Sequence, residues 1–378
     1  MVMGAFSDIL GNGPVLRLLE SALLSGEVGH AYLFHGPPGV GKRTVARRFG
    51  SALVSGGDGG AADRALRGLH PDLDEIEPEG QFTTIGQVRE VLRQAASRPF
   101  EGAARRVFIL EADTLNVQAA NALLKTLEEP EGGAVFVLLA ASREGVLPTV
   151  ASRAQAVRFD PVPLGEVSSF LMRRGHAEDE ARLAAALGRG SVGLALRYAE
   201  EQELKELRED VLRAGFAFGG SFEERYGAGE GIVARAEGVG AAREKAYLAS
   251  FGAVEGAAGG IAVGGPDRRA RETAKRLRRA ARDAAVAEAL GLLAFLYRDA
   301  AVAAAGAADL AVNTDRLEEI RARVAERPGA DWAGAARELG EARASLAYNV
   351  SPEAIVEVAL SRTRQKILGA SLESSPDS

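Results

Sequence analysis

His30-Ala31-Tyr32-Leu33-Phe34-His35-Gly36-Pro37-Pro38-Gly39-Val40-Gly41-Lys42-Arg43-Thr44 decides how the first part of the chain reads. A short apolar run, Ala31 to Phe34, stops at a Gly-Pro-Pro-Gly turn, and from Lys42 to Leu53 the apolar positions recur at helical spacing. Strand, glycine-rich loop and helix, in that order, separate a phosphate-binding P-loop from a chance cluster of glycines. Having no side chains, Gly36, Gly39 and Gly41 let backbone N–H groups curl around phosphate oxygens, and the start of the helix adds positive potential. Lys42 supplies a point charge for the outer phosphates.

Outward from this loop the pattern repeats. Arg106-Val107-Phe108-Ile109-Leu110 is a second apolar run ending in acidic residues, and Leu115, Ala119, Ala120, Leu123, Leu124 and Leu127 then mark one helix face, closed by Pro130. Ala134 to Ala140 is apolar throughout. Unbroken runs suit strands of a parallel sheet covered by helices on both faces, so residues 1–162 read as an α/β domain. Residues 163–206 carry three short helical patterns, Gly165 to Arg174, Asp179 to Leu187 and Ser191 to Glu201, and read as a separate small helical domain. A third, all-α domain is expected over 207–370, with a glycine-rich loop near 252–266 and a frayed tail at 371–378. Within the glycine-rich part, Ile232 to Ala236 and Ala241 to Phe251 are expected as separate helical pieces.

The bulk numbers narrow the classes. At 378 residues two or three domains are the natural expectation, and 47% hydrophobic with 26% charged residues is ordinary for a globular protein. A net charge of −6 argues against wrapping nucleic acid over the whole surface. Without cysteine, disulfides and thiolate metal sites are excluded. MVMGAFSDIL lacks the plan of a secretory signal and no apolar run reaches membrane-spanning length, so a soluble, cytoplasmic chain without a membrane partner is expected.

The chemistry of the loop is incomplete. The residue after Lys42 should be a Ser or Thr whose hydroxyl holds Mg²⁺, and here it is Arg43. Thr44 does not substitute, because one step along a helix swings a side chain by about 100°. The second acidic strand of an ATPase of this kind ends in a metal-holding Asp and then a water-orienting Glu. Here Leu110 takes the first position and Glu111 remains as a vestige of the second, while Asp113 lies beyond the strand end. Bridging metal neutralises developing phosphate charge, so hydrolysis is expected to be very slow or absent. With Lys42 and the loop amides retained, ATP binding without turnover is the expected remnant of function.

The segment Glu111-Ala112-Asp113-Thr114-Leu115-Asn116, leading into Ala120-Asn121-Ala122-Leu123-Leu124-Lys125-Thr126-Leu127-Glu128-Glu129-Pro130, resembles the signature of the AAA+ clamp-loader family of bacterial DNA polymerase III. Leu147-Pro148-Thr149-Val150-Ala151-Ser152-Arg153-Ala154-Gln155 is similar to the family's Ser-Arg-Cys motif with Ala154 in place of Cys, and His30 to Phe34 to its entry strand. The likeness covers about the first 200 residues. It implies an AAA+ module, a helical lid (163–206) and an oligomerising collar (207–370) in a machine that opens the sliding clamp and loads it on primed DNA. Gamma/tau and delta subunits are its implied partners in the polymerase complex.

In that family Arg153 would be a finger reaching into a neighbour's ATP site, and Ser142 would stand near the γ-phosphate sensor. Gly193 stands where an active ATPase of the family places a sensor arginine. The family's cysteine-rich zinc module is reduced to Leu69-His70-Pro71-Asp72-Leu73, and one histidine cannot hold zinc. Losses at positions 43, 110 and 193 favour a non-hydrolysing member over a gamma/tau-like motor. A recombination helicase would have no reason for the Asn121-to-Pro130 signature. Eight basic residues between Arg268 and Arg282 read as a solvated helix face, since no aromatics interleave, and Trp332 reads as a packing residue. Ser351, Pro352 and Glu353 have the order of a helix start.

Overall fold

The computed structural model describes residues 4–78, 82–101, 105–129, 133–217, 222–249, 268–346 and 351–369. They fall into two compact units, Met1–Ala199 and Glu200–Ser378. The first unit runs α1 (Gly13–Ser25), β1 (Ala31–His35), α2 (Lys42–Ser55), α3 (Gly59–Leu66), β2 (Leu73–Ile76), α4 (Ile85–Ala95), β3 (Arg106–Glu111), α5 (Val117–Glu128), β4 (Ala134–Ala140), α6 (Pro148–Ala151) and β5 (Gln155–Arg158). Three short helices complete it: α7 (Leu164–Arg173), α8 (Glu178–Gly188) and α9 (Val192–Glu200), the last ending at the boundary.

All strand pairings are parallel, in the order β2-β3-β4-β1-β5. Successive side chains of a strand point to opposite faces. Tyr32, Phe34, Val107, Ile109, Val135 and Val137 therefore pack on one side with Val15 and Leu19 of α1 and Val45 and Phe49 of α2. Leu33, Phe108, Leu110, Phe136 and Leu138 pack on the other with Val88 and Val91 of α4 and Leu123 and Leu127 of α5. Both faces are dry, which is why the strands read as unbroken apolar runs. Parallel alignment also brings the carboxyl ends of the strands to one edge: His35 is paired with Ala140, and Glu111 with Leu139. That edge is where open α/β sheets bind ligands. Thr84 and Gln87 form a reciprocal capping box at α4, and the Asn116 side chain accepts the Ala119 N–H at 2.8 Å to start α5.

The second unit is helical: α10 (Gln202–Phe216), α11 (Phe222–Ala249), α12 (Arg268–Ala304), α13 (Leu317–Glu326), α14 (Trp332–Ser345) and α15 (Pro352–Leu368). Here the expectation of separate pieces between Ile232 and Phe251 is corrected, because α11 is one helix that includes Gly227 to Gly231. The glycines are contact points. A Cβ at Gly240 would press on the Arg278 backbone carbonyl of α12, and one at Gly229 would touch Leu360 of α15. Close approach of a neighbour compensates the helix penalty of about 1 kcal/mol per glycine. The expected loop at 252–266 and tail at 371–378 lie outside the described residues.

In the basic stretch, Arg278 bonds Glu237 and Glu244 of α11, and Arg282 bonds Glu237 and Asp283. Trp332 is buried with its ring 6.1 Å from that of Tyr297, a packing role. Ser351 caps α15 by accepting the Ala354 N–H at 3.2 Å, with Pro352 in the first turn. Asp299, fully buried, accepts N–H groups from Val312 and Asn313 and fixes the turn after α12.

Leu123 is fully buried on α5, whereas Val117 on the same helix is 62% exposed. Leu123→Ala should cost about 2–5 kcal/mol, and Val117→Ala should stay within about 0.5 kcal/mol. Urea denaturation followed by circular dichroism checks the contrast.

Candidate functional site: the phosphate loop and its cation

The loop leaves β1 with the Gly36 N–H donating to the Ala140 carbonyl at 3.3 Å, so it is pinned to the neighbouring strand from its first residue. Gly36 has φ 148°, and a Cβ there would run into the Phe159 carbonyl oxygen. At Gly39, φ 78°, a Cβ would strike the hydroxyl of Ser191. That serine is buried and caps α9 by accepting the Leu194 N–H at 3.1 Å, so the start of α9 leans directly on the loop. Gly41 has φ 100° and precedes α2 in a left-handed conformation.

Lys42 folds back over the loop, its Nζ donating to the Gly36 and Pro37 carbonyls at 2.5 and 2.8 Å. Burial pushes its pKa down, against the pull of Glu111 and Asp113. His35, at the end of β1, is also pushed down, by burial first and then by Arg143, with Glu144 opposing and Arg158 and Lys42 adding to the shift.

Arg43 is the centre of an ion cluster. Its Nη2 donates to Glu111 Oε1 at 2.6 Å, and its Nη1 lies 3.6 Å from Glu75 and 3.7 Å from Glu77. Burial works against its charge, but the hydrogen bond to Glu111 and the charges of Glu111, Glu75 and Glu77 outweigh it and raise the pKa. Arg47, one turn along α2, also pairs with Glu75. Leu110 is 1% exposed in the core against α4 and α5, and strand alternation turns the next residue, Glu111, towards α2. The carboxylate that faces position 43 is thus Glu111. Thr44 is exposed and takes no part in the cluster.

Asp113 lies in a short turn after β3, where its Oδ2 accepts the Ala141 N–H at 2.9 Å and fixes the exit of β4. Ser142 follows, and its Oγ accepts the Gly145 N–H at 3.1 Å within an exposed turn. Gly193 is exposed, and a Cβ added there would meet nothing within 4 Å.

Arg153 stands apart from the loop, between α6 and β5. Its Nε donates to Glu128 at 2.5 Å, its Nη2 pairs with the same carboxylate, and its Nη1 donates to the Thr149 carbonyl at 2.8 Å. The side chain is held by these bonds yet 32% exposed.

Sequence reasoning missed Glu75, Glu77, Ser191 and Glu128. The first two are hinted at by the acidic run Asp74-Glu75-Ile76-Glu77, and Glu128 sits inside the quoted signature. His70 and Asp72 have structural roles: His70 Nδ1 accepts the Asp72 N–H at 3.1 Å, and Asp72 accepts the N–H groups of Phe100 and Glu101. Among the described residues no group of three or more His, Cys, Asp or Glu is arranged to hold a metal. Nor, among them, is any helix long and apolar enough to cross a membrane.

A parallel five-stranded sheet with a glycine loop after its β1 and short helices closing on that loop defines an α/β domain of the P-loop type. Residues 11–163 match the family described as "DNA polymerase III, delta subunit". Over that region the chain is similar to subunits of DNA polymerase III. It is 28% identical over 207 residues to the DNA polymerase III subunit delta′ of Bacillus subtilis, covering 53% of this chain and 62% of that protein. It is 37% identical over 134 residues to the delta′ subunit of Pseudomonas aeruginosa, covering 33% and 41%. The chain thus spans less than two thirds of the length of either relative. A gamma subunit-related protein of DNA polymerase III from Thermotoga maritima is similar in structure with TM-score 0.44 and 19% identity, over 92% of this chain and 99% of that one.

Gly36→Ala should destabilise the fold by about 1–3 kcal/mol, because its Cβ meets backbone rather than a side chain that can turn away. Gly193→Arg should leave stability within about 0.5 kcal/mol. Thermal unfolding of the two variants checks the pair.

Proposed function

We propose that the chain is a clamp-loader subunit of the delta-prime type. It works in the cytoplasm with gamma/tau and delta subunits to open the sliding clamp and load it on primed DNA, and it contributes to the polymerase complex without a polymerase site of its own. Its own phosphate loop holds ATP without turnover, and its catalytic contribution is Arg153, placed in a neighbour's ATP site. Residues 1–162 form the AAA+ module, 163–206 the lid and 207–370 the collar.

The observation that carries this reading is the Arg43–Glu111 pair. A guanidinium stands where a hydroxyl would hold magnesium, and the nearby carboxylate is bonded to it instead of being free as a ligand. Mg²⁺ does not fit this donor set. Leu110, buried in the core, offers no lone pair, and Gly193 supplies no cation. Ser142 remains as a vestige of the sensing position, and Glu111, expected from the sequence at the water-orienting position, instead faces position 43 and is taken up by Arg43.

The gamma/tau-like motor reading needs Thr44 or Asp113 to restore the metal. Thr44 is exposed, and Asp113 is bonded to the Ala141 N–H. Arg153, by contrast, is partly exposed and oriented by Glu128 and Thr149, as a cation delivered to another subunit needs to be.

The purified chain should show no Mg²⁺-dependent ATPase. In the complex assembled with the motor subunit, Arg153→Ala should abolish turnover at the neighbouring site, since a finger supplied in trans contributes about 10³–10⁵ in rate. Unchanged ATPase of the complex would remove the finger assignment, and robust turnover by the chain alone would favour the motor.

A further inference from the structure

The cation of this phosphate loop is covalently part of the chain. Arg43 emerges from the first turn of α2, beside Lys42, and is ringed by carboxylates from the ends of two strands: Glu111 at 2.6 Å, Glu75 at 3.6 Å and Glu77 at 3.7 Å. A divalent ion arriving there would find its nearest carboxylate already bonded and a fixed positive charge beside it. Like charges at such separations repel strongly where water is partly excluded. A nucleotide carrying magnesium would bring that ion to the same place.

The guanidinium is not used up by its partners. Of its N–H donors, one meets Glu111 at hydrogen-bond distance, while Glu75 and Glu77 stand at ion-pair distance. Glu75 also has Arg47 as a partner and would not be left alone if Arg43 turned towards an incoming phosphate. Arginine is suited to that contact, because its planar fork binds phosphate oxygens directly.

Resting on the reading that this loop holds a nucleotide, we propose that Arg43 takes the place of the divalent ion. The cradle then accepts the polyphosphate of a nucleoside triphosphate in its metal-free form and disfavours the magnesium-loaded form. Neutralisation of the phosphates falls to Arg43, Lys42 and the loop amides. Glu111 holds the guanidinium at the mouth of the loop and competes with phosphate for it.

The test is binding of a fluorescent ATP analogue to the full chain, in EDTA and in millimolar magnesium chloride. Wild type should bind at least as tightly in EDTA as in magnesium. Arg43→Ser restores a hydroxyl beside a freed Glu111 and should reverse the preference, with magnesium tightening binding by about tenfold, a usual size for coupling between two ligands. Glu111→Gln, which loosens the guanidinium without removing it, should keep the wild-type preference for the metal-free form and tighten binding in EDTA. Circular dichroism confirms that each variant is folded. Wild-type binding that requires magnesium overturns the inference and leaves the cradle reading standing. Absence of binding in both conditions removes the cradle reading and this one with it.

Discussion

The first unit depends on one constraint, a parallel sheet buried on both faces. Backbone hydrogen bonds are satisfied between strands, so the side chains can be wholly apolar, and Phe108 and Phe136 stack at 5.5 Å without a polar atom to satisfy. Parallel alignment has a directional consequence. The carboxyl ends of β1, β3 and β4 arrive together, and the loop glycines, Glu111 and Asp113 gather at that edge although they are distant in the chain. The site is a by-product of strand direction, completed by helices that must return over the faces.

The ion cluster around Arg43 has little to do with holding that fold. Its side chain is 40% exposed and that of Glu111 27% exposed, and pairs in such surroundings contribute about 0–1 kcal/mol. What the pair sets is the local field at the mouth of the loop and the orientation of one guanidinium. The same separation holds for Arg153 and Glu128: their bond fixes a direction more than it adds stability. In both places a carboxylate from the end of a strand or helix governs where an arginine points.

The fold was legible wherever neighbours in sequence carry the signal. Strand β4 announced itself by seven consecutive apolar residues, and α15 by Ser351, Pro352 and Glu353, because capping and burial act over a few residues. The loop glycines were legible for the same reason. The continuous helix α11 was not, since Gly229 and Gly240 look like breakers until α12 and α15 are in place to lie against them. Glu75 and Glu77 joined the site only through the pairing of β2 with β3, and Ser191 only through the docking of α9 on Gly39. Positions 43 and 110 could be read as unusual from the sequence alone. That the vestigial Glu111 is the partner of Arg43 is a fact of three dimensions.

The contact at Gly240 has a mechanical side. It lies where two rods of 28 and 37 residues approach each other closely. Such helices extend about 1.5 Å per residue, so the longer reaches roughly 55 Å. A bulkier residue there would act like a shim between the two rods, so their fit depends on the width of one missing methyl group.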